Sequence, residues 1–232
     1  MLIQQIKENA IFIADAHYPH HGDEFLKILQ DLDNLRLEIP QLFLMGDIFD
    51  LLFGYNQYIK TFSNQAITIL QKISKKIDIY YFEGNHDFCL KEIFPHIKIY
   101  NRDEQPVKFR LNSRDVYLSH GDLFDVGLKY NIYSKIVRNR FILTILLPFQ
   151  KQIIDFQMRK LRDKKICYKF IDFKLKIDRI KRAYPKNSLI VEAHFHQAKI
   201  FKDYISLPSL ACQKEIAIIK EGKLLFKKVN LN

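Results

Sequence analysis

Five short blocks along the chain hold residues able to bind a divalent metal ion or move a proton. Asp15-Ala16-His17 follows the apolar run AIFIA at residues 10–14, and Gly46-Asp47-Ile48-Phe49-Asp50 follows QLFLM at residues 41–45. Gly84-Asn85-His86-Asp87 comes just after IDIYYF at residues 77–82. His120-Gly121-Asp122 follows VYLS at residues 116–119, and His194-Phe195-His196 follows LIVEA at residues 189–193. Asp, His and Asn suit a borderline-hard divalent ion such as Mn²⁺, Fe²⁺ or Zn²⁺, and no thiolate is in the set. Residues i and i+2 of an extended chain share a face, so Asp15 and His17 are expected to project the same way. His194 and His196 can do the same, or splay to two neighbouring ions. An Asp between two ions fits a pair about 3.5–4 Å apart.

Taken singly, each block has a plainer explanation. An Asp at a strand end commonly caps a turn or the next helix, and Gly-Asn is an ordinary turn dipeptide. Five such blocks, each directly after an apolar run, argue for convergence. Ligands at the carboxyl ends of successive strands meet at one rim of an open α/β sheet.

The elements that must position them follow from periodicity. Residues 10–14, 41–45, 77–82, 107–111, 116–118 and 188–191 are expected as strands, and residues 23–35 and 64–73 as helices. Strands alternating with helices predict an α/β fold. Residues 215–219 and 224–229, around Glu221-Gly222, predict a closing β-hairpin. From residue 126 to 184 the period turns helical, which predicts an inserted helical cap. The expected organisation is therefore a core of residues 1–125 and 185–232 interrupted by a cap of residues 126–184.

At 232 residues the chain is long enough to bury a sizeable core. Cys89, Cys167 and Cys212 are odd in number and widely spaced. That usage predicts no disulfide framework and a reducing, cytoplasmic setting. No basic segment followed by a sustained apolar run opens the chain, and the apolar stretch at residues 141–149 is about half a membrane span. The net charge of +11 is concentrated: residues 126–186 hold 17 Lys/Arg against 4 Asp/Glu, and the remainder holds 20 against 22. Such a segment can be a solvated helical face, or can meet a polyanion, an anionic membrane or a phosphorylated substrate.

D-x-H, G-D-x-x-D, G-N-H-D, a later His and a final H-x-H together resemble the five-block signature of calcineurin-like metallophosphoesterases, over residues 10 to about 198. The resemblance implies two stacked β-sheets flanked by helices, with a dimetal site at the sheet edges. It assigns Asp15, His17 and His196 to one ion and Asn85, His120 and His194 to the other, with Asp47 bridging. It also makes His86 a general acid or transition-state donor, aided by Asn85 and oriented by Asp87. The family usually has Gly where this chain has Ala193, a change that costs little unless the position needs positive φ, so both histidines are kept as expected ligands.

Within the superfamily the chain most resembles the UDP-2,3-diacylglucosamine diphosphatase family of lipid A biosynthesis. The features are chain length, the H-G-D block before an aromatic-basic helix near Tyr130, Leu146-Leu147-Pro148, and Met158-Arg159. Members usually read G-N-R-D where His86 stands. The resemblance implies hydrolysis at the α-phosphorus to UMP and 2,3-diacylglucosamine 1-phosphate, using two divalent ions, Mn²⁺ by preference. Arg159, Lys164 and Lys165 are expected near the substrate, with Asp125 and Tyr130 toward the sugar and His194 and Asn85 serving both metal and substrate. Phe141, Ile142, Ile145, Leu146 and Phe149, bordered by Arg138, Arg140 and Lys151, form a stripe suited to an interfacial helix. It implies peripheral contact with the cytoplasmic face of an anionic inner membrane; packing against neighbouring helices is the plainer reading. The rival function is another phosphodiesterase or a nuclease on the same core, and a scaffold without activity is remoter. No nucleic-acid partner is expected, because the aromatic residues sit among Ile and Leu without forming a stacking row.

Overall fold

The computed structural model describes residues 3–123 and 127–229, the side chain of Leu128 excepted. Two six-stranded sheets form its centre, as the signature implied. The first runs Lys223–Lys228, Glu215–Lys220, Ile11–Ile13, Gln41–Leu44, Asp78–Phe82, Lys98–Tyr100. The second runs Gln4–Gln5, Val107–Leu111, Arg114–Ser119, Leu189–Glu192, Tyr204–Ser206, Lys199–Ile200. The strands that lead into the five blocks lie side by side and parallel within their sheets. Phe12 is opposite Phe43, Phe43 opposite Tyr80, and Val191 opposite Leu118. The hairpin around Glu221-Gly222 pairs antiparallel, as expected.

The strands are apolar on both faces because both faces are covered. Phe12, Phe43 and Tyr80 point between the sheets, where their rings stack at 4.4 and 4.8 Å and meet Phe109 and Val191. The alternate residues Ile11, Ile13, Leu42, Leu44 and Ile79 face the helices Glu24–Asp33 and Asn64–Ile73 through Phe25, Leu29, Ile67 and Leu70. The outer face of the second sheet is covered by the helix Phe173–Ile180, whose Phe173, Ile177 and Ile180 pack on Ile190 and Tyr204.

The helices Leu128–Val137, Arg140–Ile145, Gln150–Arg162 and Phe173–Ile180 follow the fourth block, but their attachments differ. Ile154 and Met158, one helical turn apart, sink into the main core, and Tyr58 donates to Asp155 at 2.6 Å. Phe141, Ile145 and Phe149 instead stand 73, 56 and 60% exposed. Packing against neighbouring helices does not account for these three side chains. Among the described residues no helix is long and apolar enough to cross a membrane.

The cysteine reading is overturned. Cys167 and Cys212 form a disulfide across 45 residues, with Cα atoms 5.5 Å apart, and Cys89 remains free. Wide spacing argued against pairing, but the fold lays the extended segment after Gln150–Arg162 against the short helix Leu210–Gln213.

Candidate functional site

The first two blocks run beside each other beyond the ends of their strands. The Asp15 amide donates to the Gly46 carbonyl, His17 to that of Asp47 and Tyr18 to that of Ile48, at 3.0–3.1 Å. This stretch is not extended chain. Asp15, His17, Asp47, His194 and His196 all have positive φ, between 46 and 63°. The alternation argument for Asp15 and His17 therefore fails, since left-handed bends, and not strand pleat, aim these side chains. Non-glycine residues adopt that conformation at a cost, and such outliers gather at functional sites. Ala193 is not among the positive-φ residues, so replacing Gly there carries no conformational penalty. Two glycines do have steric roles. A Cβ on Gly46 would run into the His120 ring, and one on Gly84 into the Asp47 carboxylate.

Two groups of metal-type ligands result, Asp15 with His17 and His196, and Asp47 with His120 and His194; within each, one candidate atom per residue lies within 4.8 Å of the others. Asp15 faces His196 Nε2 at 3.3 Å, and Asp47 faces His120 Nε2 at 3.6 Å. Asn85 Oδ1 is 3.3 Å from the same His120 Nε2. His120 Nδ1 lies 2.9 Å from the Met45 carbonyl, which fixes Nδ1–H as donor and turns Nε2 toward Asp47 and Asn85. His17 is buried with neither ring nitrogen hydrogen-bonded. Burial lowers its pKa to about 3 and that of His194 to about 4, so both stay neutral with lone pairs available. Buried, unpartnered imidazole nitrogens beside buried carboxylates are what a divalent cation would satisfy. The residues fit a pair of such ions.

His86 is buried, and its Nδ1 lies 2.6 Å from the Asp50 carbonyl. Its amide donates to Asp47 Oδ1 at 2.8 Å, tying the two blocks together. The expectation that Asp87 orients the ring needs correction. The Asp87 carboxylate accepts from the amides of Asp47, Ile48, Phe49 and Gly84 and from the Tyr81 hydroxyl, so it braces the loops instead. Asp50 carries the carbonyl that holds His86, while its own carboxylate accepts from the amide of His20 and pairs with the His20 ring, both at 2.8 Å.

A cavity of about 670 Å³ opens onto Asn85 and His86 and runs between the helices Leu128–Val137, Arg140–Ile145 and Gln150–Arg162. Its lining is mainly apolar, with Phe88, Ile136, Ile142, Leu146 and Ile153, and cationic at Lys160 and Lys164. Tyr130 also lines it and donates to Asp122 Oδ2 at 3.3 Å. Arg159 and Lys165 are exposed and do not line it. His194 stays with the metal-type ligands. Asp125 lies outside the described residues.

Two links escaped the sequence reading. Arg138, read only as a border cation, donates from its guanidinium to the Gly84 carbonyl at 2.6 Å and lies 5.2 Å over Phe88. Arg102 donates to the Asp122 carboxylate at 2.9 Å and to Asn131 Oδ1 at 2.6 Å, joining the fourth block to the helix after it. A lone arginine gives no spacing signal for either role.

The family model described as calcineurin-like phosphoesterase matches residues 9–198. The chain is similar to a Histophilus somni (strain 129Pt) protein named UDP-2,3-diacylglucosamine hydrolase, 27% identical over 171 residues and covering 68% of each chain. It is also similar to a Blochmanniella floridana protein of the same name, 25% identical over 217 residues, covering 84% of this chain and 83% of that one.

Proposed function

The chain belongs to the calcineurin-like phosphoesterase family, and from that premise we propose that it cleaves the diphosphate of UDP-2,3-diacylglucosamine to UMP and 2,3-diacylglucosamine 1-phosphate, in lipid A biosynthesis. It is a dimetal phosphoesterase, a hydrolase. The observation that carries the substrate reading is the mainly apolar cavity of about 670 Å³ that opens onto Asn85 and His86. A small phosphodiester has no use for such a groove, whereas two acyl chains do. The relatives' name agrees with that chemistry.

In this reading Asp15, His17 and His196 would hold one ion and Asn85, His120 and His194 the other, with Asp47 serving both. Two divalent ions, Mn²⁺ by preference, would supply Lewis acidity, lower the pKa of water and neutralise phosphoryl oxygens when bound. His86 acts on the leaving side. Its Nδ1–H is committed to the Asp50 carbonyl, so Nε2 carries a second proton only in the imidazolium form. That form donates to the sugar phosphate oxygen as negative charge grows on it. Asn85, beside His86 at the cavity mouth, helps orient the diphosphate.

The helices Leu128–Val137, Arg140–Ile145 and Gln150–Arg162, whose residues line the cavity, serve as the cap. In this reading Tyr130 and Lys164, both on the cavity wall, serve the sugar and the diphosphate. Phe141, Ile145 and Phe149, next to Arg140 and Lys151, support peripheral contact with an anionic membrane surface. The test is a panel of UDP-2,3-diacylglucosamine, a cyclic nucleotide and single-stranded DNA incubated with the Mn²⁺-loaded protein. Rapid turnover confined to the acylated substrate is expected; turnover of only the nucleotide or DNA would overturn the reading.

A further inference from the structure

The acyl cavity opens onto Asn85 and His86, and neither ligand group nor Tyr168 lines it. A diphosphate whose sugar end enters that cavity leaves its nucleoside outside it, where Tyr168 stands beside the Asp15, His17 and His196 group. Its ring is stacked on that of His196, 6.4 Å between centroids and 26° between planes. It meets Phe170 edge-on at 5.3 Å. Yet Tyr168 is 53% exposed.

An exposed aromatic in a segment without helix or strand would ordinarily be loosely held. This one is fixed on both sides. Gln197, next to His196 in sequence, donates from Nε2 to the Tyr168 carbonyl at 3.1 Å and accepts from the Phe170 amide at 3.2 Å. Cys167, the preceding residue, is bonded to Cys212, and Gln213 donates to the His196 carbonyl at 2.8 Å. The segment is therefore fastened to the same loop that carries His196. A flat, partly solvent-facing ring fixed beside a phosphate-handling centre matches what a nucleobase requires, because every base offers a π-face.

We infer that Tyr168 is the stacking platform for the nucleobase of the nucleotide end of the substrate, and so a specificity-determining residue of this centre. The inference rests on the substrate reading above in taking the cavity as the acyl end. Stacking discriminates a base from no base more sharply than one base from another, so it sets a requirement for a nucleotide rather than for uracil in particular.

The test is calorimetric binding of UMP and of ribose 5-phosphate to the full-length, Mn²⁺-loaded protein. The two ligands share sugar and phosphate and differ by the base. The parent protein is expected to bind UMP about tenfold or more tightly than ribose 5-phosphate. Tyr168→Leu should erase that difference while binding ribose 5-phosphate as the parent does, which also shows that the centre is intact. Tyr168→Phe should restore the preference. A Tyr168→Leu protein that still prefers UMP, or a parent protein that binds both ligands equally, overturns the inference. Hydrolysis of UDP-2,3-diacylglucosamine is assayed in parallel. Tyr168-dependent UMP binding without cleavage of that lipid defeats the substrate reading and leaves the platform standing; cleavage with Tyr168-independent binding does the reverse.

Discussion

The Nδ1 atom of His86 lies 2.6 Å from the main-chain carbonyl of Asp50. A main-chain acceptor persists whatever side chain occupies position 50, so the ring's orientation depends on the loop path. Removing the imidazole should lose the donor without disturbing the metal-type ligands. His86→Ala is expected to lower kcat by ~10²–10³ with metal content unchanged. Steady-state kinetics beside elemental analysis decide it, and loss of metal together with activity would mean that His86 is a ligand. His86→Arg should keep substantial activity on the UDP-lipid, since a guanidinium also donates to phosphoryl oxygens.

Asp47 stands with His120 and His194 in one ligand group, its charge also acts on His17 of the other, and it accepts the His86 amide at 2.8 Å. Asp47→Ala should abolish activity and leave less metal bound than in the parent, whereas His17→Ala should weaken mainly one site. Metal content after dialysis, with and without chelator, reads both. A fully loaded, active Asp47→Ala protein would refute the bridging assignment.

Asp87 makes a different forecast because its carboxylate gathers amides from two loops. Asp87→Ala leaves several buried donors without an acceptor and should destabilise the fold by about 3 kcal/mol. Chemical denaturation measures this. Unchanged stability with lost activity would return Asp87 to a direct role on His86.

That the metal-type residues would cluster was legible in the sequence because metal chemistry restricts residue type and because each block follows an apolar strand. Asp15, His17, Asp47, His120, His194 and His196 all converge. What the sequence hid were juxtapositions with no periodic trace. Asp50 and His86 meet across 36 residues, Gly84 and Arg138 across 54, and Cys167 and Cys212 across 45. The strand alternation argument pointed to a pair that does cluster, Asp15 and His17, for the wrong reason. Their φ values are positive, which no pattern of apolar residues announces. The helix Phe173–Ile180 shows the converse limit. Its apolar spacing marked a helix correctly but did not tell that it covers the second sheet.

Leu146 lines the cavity beside Ile142, in a helical segment whose Phe141 and Phe149 face outward. Leu146→Asp puts a carboxylate where an acyl chain would lie, which is costly without a partner. It should impair hydrolysis of the acylated substrate and weaken binding to anionic liposomes, while a small generic phosphodiester is cleaved as before. Circular dichroism must show the parent fold. A nuclease would behave otherwise, with steeply salt-dependent DNA binding that falls as Lys and Arg are removed and is indifferent to Leu146. Normal cleavage of the lipid by folded Leu146→Asp protein would rule out the acyl groove.

The position of attack tests the central claim most directly. The Mn²⁺-loaded protein is given UDP-2,3-diacylglucosamine in heavy-oxygen water, and both products are weighed by mass spectrometry. Attack at the α-phosphorus, with the acylated sugar phosphate leaving toward His86, places the label in UMP and none in 2,3-diacylglucosamine 1-phosphate. Label in the sugar phosphate, or no release of UMP from a metal-loaded protein that cleaves other phosphodiesters, would contradict the account.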